Sequence, residues 1–101
     1  MRIEDKIEKY LNEAGRIPGK EKKKIKLEKI NFDTGKVYKT KITVGIGELV
    51  DIKDGTKPVL GKNKYNVVAG KISRIKGNYI KLFAEEEGEF WYKASDLYYG
   101  V

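Results

Sequence analysis

From Ile25 to the C-terminus, apolar side chains recur at every second residue between glycine-containing breaks, which is the period of strands and not of helices. Tyr38, Thr40, Ile42, Val44 and Ile46 alternate with Val37, Lys39, Lys41 and Thr43, as in a strand buried on one face. Ile25 and Leu27 share one parity and Ile30 and Phe32 the other, so this earlier strand requires a bulge near Glu28 and Lys29. Gly45 and Gly47 permit a bend into ELVDIK. After the looser KPVLGKNKY, the runs YNVVAGKISRI and YIKLF read as two strands joined at Lys76-Gly77-Asn78, and FWYKA as a last strand reached through EEEGE.

Only the start of the chain departs from this period. Ile3, Ile7, Tyr10, Leu11 and Ala14 fall on one helical face, with Gly15 placed to stop the helix. A helix of about three turns is marginal alone and needs a surface to lie on. The 101 residues suit one domain, with a helix over 1–15, a basic linker over 16–24 and a β unit over 25–101.

A helix followed by five or six closely spaced short strands is the pattern of a small barrel. GKISRIKGNYIKLF followed by FWYKASDL resembles the later strands of an SH3-like barrel of the Tudor or KOW kind, over roughly residues 45–101. In that pattern two strands meet at a tight turn, and a third ends in a short helical turn such as Ser95-Asp96-Leu97. The resemblance is one of fold pattern. It implies a mainly β fold, a small SH3-like barrel of five or six short antiparallel strands with an N-terminal amphipathic helix.

The chain has no cysteine and no histidine, which removes disulfides, thiolate metal sites, cysteine nucleophiles, serine-histidine triads and histidine proton transfer. No apolar run approaches the ~20 residues of a membrane span. A soluble, cytoplasmic protein without membrane contact, cofactor or enzymatic activity is expected. Its net charge is +7 and unevenly placed: −1 over residues 1–15, +12 over 16–82 and −4 over 83–101. A basic body of this kind is the electrostatic footprint of a protein that meets a polyanion. An AT-rich genome or a thermophilic lifestyle produces the same richness in lysine, isoleucine and glutamate.

Several strings imitate catalytic motifs. Asp33-Thr34-Gly35 matches the triplet of retroviral-type aspartic proteases, but it leads into a lysine-rich alternating strand and reads as a three-residue hairpin loop. GTKPVLGK lacks the glycine spacing and the hydroxyl of a phosphate-binding loop. Glu85, Glu86, Glu87 and Glu89 read as a solvated hairpin tip, and Asp51 and Asp54 as structural, so no metal site is assigned.

The aromatic run FWYKASDLYYG holds the candidate site. A loop ending at Gly88 pairs Ala84 with Phe90, Phe83 with Trp91, Leu82 with Tyr92, Lys81 with Lys93 and Ile80 with Ala94. Ile80, Leu82, Ala84, Phe90, Tyr92 and Ala94 then face inward, while Tyr79, Lys81, Phe83, Trp91 and Lys93 interleave on the outer face. A three-residue Lys76-Gly77-Asn78 loop extends that face to Lys71 and Ser73; a two-residue Gly77-Asn78 turn shifts it. Exposed rings among lysines suit RNA or single-stranded DNA, with Trp91 as the anchor. Lys20, Lys22, Lys23 and Lys24 add a basic arm that contacts phosphates without reading bases. In the competing reading, the N-terminal helix covers Phe83 and Trp91 as a second core, or Phe83, Trp91 and Tyr98 dock a protein partner or a second copy of the chain.

Overall fold

The computed structural model describes residues 17–85 and 87–101, so the helix expected over 1–15 lies outside the described residues. In chain order the strands are β1 (Glu21–Lys22), β2 (Lys24–Asn31), β3 (Lys36–Gly45), β4 (Leu49–Ile52), β5 (Ala69–Lys76), β6 (Tyr79–Ala84), β7 (Gly88–Lys93) and β8 (Leu97–Gly100). A 3-10 turn at Ala94–Asp96 separates the last two, one residue before the position expected. The strands form one mixed sheet in the order β3-β2-β8-β4-β5-β6-β7, with β1 paired to β5 off that path. Among the described residues there is no α-helix.

The mainly β expectation holds in an open mixed sheet, and among the described residues no ladder closes it into the small barrel expected. β3 and β7 stand at its two ends with no ladder between them. Nor is it wholly antiparallel: β2 and β8 run parallel, Glu28 opposite Tyr98 and Ile30 opposite Gly100. The difference comes from LYYG, an extra strand not foreseen. After the 3-10 turn this segment slots between β2 and β4, antiparallel to β4 through Asp51–Tyr98 and Ile52–Leu97.

The basic linker expected over 16–24 is also corrected. Ile17 is buried, Glu21 and Lys22 pair with Lys76 and Ile75, and the Lys20 carbonyl accepts the Gly77 N–H at 3.0 Å. Gly19 and Gly77 permit this docking. Both hold positive φ, +106° and +60°, and a Cβ on Gly19 would sit 2.4 Å from the Gly77 Cα, so only two side-chain-less residues allow the backbones to touch.

β5 is the shared strand. Residues 71–76 run beside β6, while its other edge takes β4 at residues 69–71 and β1 at 75–76. A bulge between Ile72 and Arg74 separates the two halves, with the Ser73 hydroxyl donating to the Lys81 carbonyl at 3.1 Å. The β2–β3 ladder slips between Glu28 and Ile30, where the change in apolar parity requires it. Asp33 is exposed in the turn closing that hairpin. The turn is held by a 2.7 Å bond from the Gly35 N–H to the Asn31 carbonyl, and Asn31 opposite Lys36 makes it a four-residue loop.

The β6–β7 hairpin builds the core. Ile80, Leu82, Ala84, Phe90 and Tyr92 are all buried on one face, with Ala94 half-buried beside them. They join Leu27, Val44, Val50, Ile72, Ile75 and Leu97 in one cluster. Phe90 and Tyr92 meet edge to face at 6.2 Å between centroids, a geometry that adds about 0.5–1.5 kcal/mol to their burial. The ladder itself is two residues away from the expected register, with Leu82 opposite Phe90 and Ala84 opposite Gly88. A slip of two preserves every facing, because strand side chains alternate with period two.

On the outer side of β4, partial burial raises the Asp51 carboxyl above its ordinary value, and the Gly100 N–H bonded to it offsets part of that rise. A raised folded-state value means the protonated form is favoured by folding. This contribution is complete below the ordinary carboxylate range and lost as pH rises through the raised value, so the ionised group opposes folding at neutral pH. Asp51→Asn is therefore expected to melt above the parent at about pH 7, with the gap closing towards about pH 3, as measured by circular dichroism melts.

Candidate nucleic-acid interface

The structure places Tyr79, Lys81, Phe83, Trp91 and Lys93 on one side of β6 and β7, opposite the core set. Tyr79 pairs with Lys93, Lys81 with Trp91 and Phe83 with Glu89. Lys71 lies opposite Phe83 on β5. Of the two turns weighed, the structure has the two-residue Gly77-Asn78 turn, with Lys76 opposite Tyr79 and Arg74, not Ser73, opposite Lys81; the bulge at Ser73 then restores the Lys71–Phe83 register.

The face is not the continuous wet platform expected, because Trp91 is only 3% exposed and cannot present its ring to a base. Along the outer edge of β7, the chain between β4 and β5 is bonded to the Trp91 backbone. Val59 donates to the Trp91 carbonyl at 2.8 Å, and the Trp91 N–H donates to the Leu60 carbonyl at 3.0 Å. This strap shields the outer edge of β7. Lys81 and Arg74 lie over the indole at 5.9 and 5.8 Å, each tied to a carboxylate, Lys81 to Glu89 at 2.9 Å and Arg74 to Glu21. The indole N–H is itself buried without a hydrogen-bond acceptor among the described residues.

The closed centre divides the face into two unlike ends. At one, Phe83 is 43% exposed and Leu49 59% exposed, on either side of Lys71. The cleft there, about 290 Å³, also carries Glu85 and Glu87, so its charge is mixed. Tyr98 lies on β8, three strands from Phe83, or about 14 Å at ordinary strand spacing. The patch of Phe83, Trp91 and Tyr98 is thus not assembled, and Tyr98 instead packs under Lys53 at 4.5 Å.

At the other end, Tyr79 and Lys93 meet the β2–β3 hairpin. A groove of about 400 Å³ is lined there by Lys26, Lys41, Asn78, Tyr79, Lys93 and Ser95, with Ile25 and Ala94 as its apolar part and no carboxylate in its wall. Lys26, Lys41, Lys93, Asn78 and Ser95 are exposed, and Tyr79 is half-buried. Ion pairs among the described residues take Lys53, Arg74 and Lys81 and none of these lysines. Sequence reasoning found Tyr79 and Lys93 but missed Lys26 and Lys41, whose place depends on how the hairpin folds across the sheet. Lys20, Lys22, Lys23 and Lys24 do not form a loose arm. Lys22 and Lys24 lie within β1 and β2, and the carbonyls of Lys20 and Lys23 accept from Gly77 and Ile46.

Asn63 fixes the strap to the core. Its amide donates to the Val67 carbonyl at 2.9 Å and the Tyr92 hydroxyl at 3.2 Å, and accepts the Val67 N–H at 2.8 Å. Burial raises the Tyr92 hydroxyl above its ordinary value, the Asn63 bond opposes the rise and Asp96 adds to it, so the group stays a neutral phenol at physiological pH. No family model, curated protein or solved structure matches the chain.

Trp91 emission is expected to be blue-shifted and poorly quenched by iodide. Asn63→Ala leaves the Tyr92 hydroxyl and the Val67 N–H short of a partner and is expected to cost about 1–3 kcal/mol; unchanged stability would contradict the role given to Asn63.

Proposed function

We propose that this protein is a non-enzymatic module that binds RNA or single-stranded DNA with little sequence preference, using no cofactor. The observation that carries the reading is the groove of Lys26, Lys41, Lys93 and Tyr79, whose wall holds three ammonium groups and no opposing acid. Lysines supply point charges for phosphates, and the tyrosine supplies a flat ring with a polar tip for a base or sugar. Bidentate reading of guanine edges falls chiefly to arginine. Arg74, the one arginine among the described residues, is engaged by Glu21 and lies over Trp91. Binding without strong base preference follows from that.

The finer fold assignment belongs to the same reading. We propose that residues 45–101 are an SH3-like small barrel of the Tudor or KOW kind. Support comes from the tight Gly77-Asn78 turn between β5 and β6 and from the 3-10 turn that ends β7. A second reading, a protein partner or second copy docking at Phe83, draws support from its exposure beside Leu49.

A labelled oligonucleotide titrated at several salt concentrations is expected to bind with a steep salt dependence, since each lysine–phosphate contact contributes about 0.7 to the log-log slope for a single strand. Lys26→Gln/Lys41→Gln/Lys93→Gln is expected to lower that slope by about 2. Absence of binding at low salt, or a flat slope, removes the nucleic-acid reading. Salt-insensitive self-association lost in Phe83→Ser would favour the second.

A further inference from the structure

The sixteen residues between β4 and β5, 53–68, have no strand or helix of their own. Loops of that length inside a small domain are usually either binding elements or disordered. This one is held at several points. Ile52 donates to the Val68 carbonyl at 2.8 Å and Lys53 to the Asp96 carbonyl at 3.0 Å, Val59 and Leu60 bond to Trp91, and Asn63 locks onto Val67 and Tyr92. Its backbone approaches β7 so closely that a Cβ on Gly61 would lie 3.2 Å from the Glu89 carbonyl oxygen, and the glycine holds φ +91°.

The loop spends this order on a second basic groove. About 400 Å³ is enclosed by Lys57, Pro58, Gly61, Lys62, Asn63 and Lys64, again with no carboxylate in the wall. The three lysines are exposed. Asp54, the one acid of the loop, lines the adjoining cleft instead. Order without secondary structure, together with three ammonium groups around one hollow, is the arrangement of a phosphate-binding loop built from side chains.

Each groove has one lining residue on or against β7, Gly61 packed on Phe90 and Lys93 within the strand. The loop groove meets the strand at Glu89–Trp91 through Gly61 and Leu60. The Tyr79 groove begins at Lys93, three residues on from Phe90, or about 10 Å of extended chain. We infer that the loop over residues 53–68 is a second phosphate-binding element, which takes the backbone of the same nucleic-acid strand as it leaves the Tyr79 groove. The inference rests on the nucleic-acid reading and adds a path to it: one strand crossing the β7 edge over the strap bonded to the Trp91 backbone. Trp91 then serves as the buried anchor of the loop and not as a stacking platform.

The test uses the full chain and a labelled oligothymidylate of about fifteen nucleotides, near the upper site size of a small single-strand-binding domain, read by fluorescence anisotropy across a salt series. Lys57→Gln/Lys62→Gln/Lys64→Gln is expected to weaken binding about tenfold or more at low salt and to lower the log-log slope by about 2. Lys57→Arg/Lys62→Arg/Lys64→Arg is expected to keep the parent slope. A control of equal charge loss on the far hairpin, Lys29→Gln/Lys36→Gln/Lys39→Gln, is expected to cost much less. An unchanged thermal midpoint certifies the fold of each variant. If the loop variant binds as the parent does, or loses no more than the control, while the Lys26/Lys41/Lys93 variant is weakened, the loop inference is overturned and the nucleic-acid reading stands. If the parent binds no strand at low salt, both fall.

Discussion

β5 has to satisfy three neighbours at once, and the rest of the molecule follows from how it does so. A straight strand offers one partner on each edge; this one pairs residues 71–76 with β6 and divides its other edge between β4 and β1. The bulge at Ser73 makes the division possible by adding twist between the halves, and the Ser73 hydroxyl bonds the Lys81 carbonyl there. Ile72 and Ile75, one on each side of the bulge, both remain buried in the common core. Without that change of register, either the segment at Ile17–Lys22 or β4 would lose its seat.

The second organising feature is the strap over Trp91. β7 ends the sheet path, and an exposed edge there would leave backbone groups and a large indole in water. Val59 and Leu60 satisfy the backbone edge with two bonds, while Arg74 and Lys81 lie over the indole. The same contacts order the loop and split the outer face into a mixed-charge apolar end near Phe83 and a wholly basic end near Tyr79. The arrangement of the surface is therefore a by-product of protecting an edge.

Much of this was legible in the sequence, for a physical reason. Strand period and glycine breaks are local, and they correctly gave the β2 bulge, the inner set Ile80, Leu82, Ala84, Phe90 and Tyr92, and the short helical turn after β7. The outer set was placed on the right side even though the hairpin register was two residues away, since facing depends only on parity. Contacts between distant segments were not legible. Nothing local marks Val59-Leu60 as the backbone partner of Trp91, or sets LYYG parallel to β2, or brings Lys26 and Lys41 beside Lys93. A run such as RIPGKEKKK looks like linker because lysines dominate it, yet a Gly19–Gly77 backbone contact and two residues of pairing fasten it to β5.

β3 closes the other end of the sheet, and among the described residues no strand pairs its outer side. Its ten residues carry Lys36, Lys39 and Lys41 beside the exposed Val37. Such a margin would invite a second molecule to add a strand, and like charge is what keeps two copies apart. That repulsion is screened by added electrolyte. Raising the ionic strength therefore removes what keeps two such edges apart, and edge-to-edge association is its consequence.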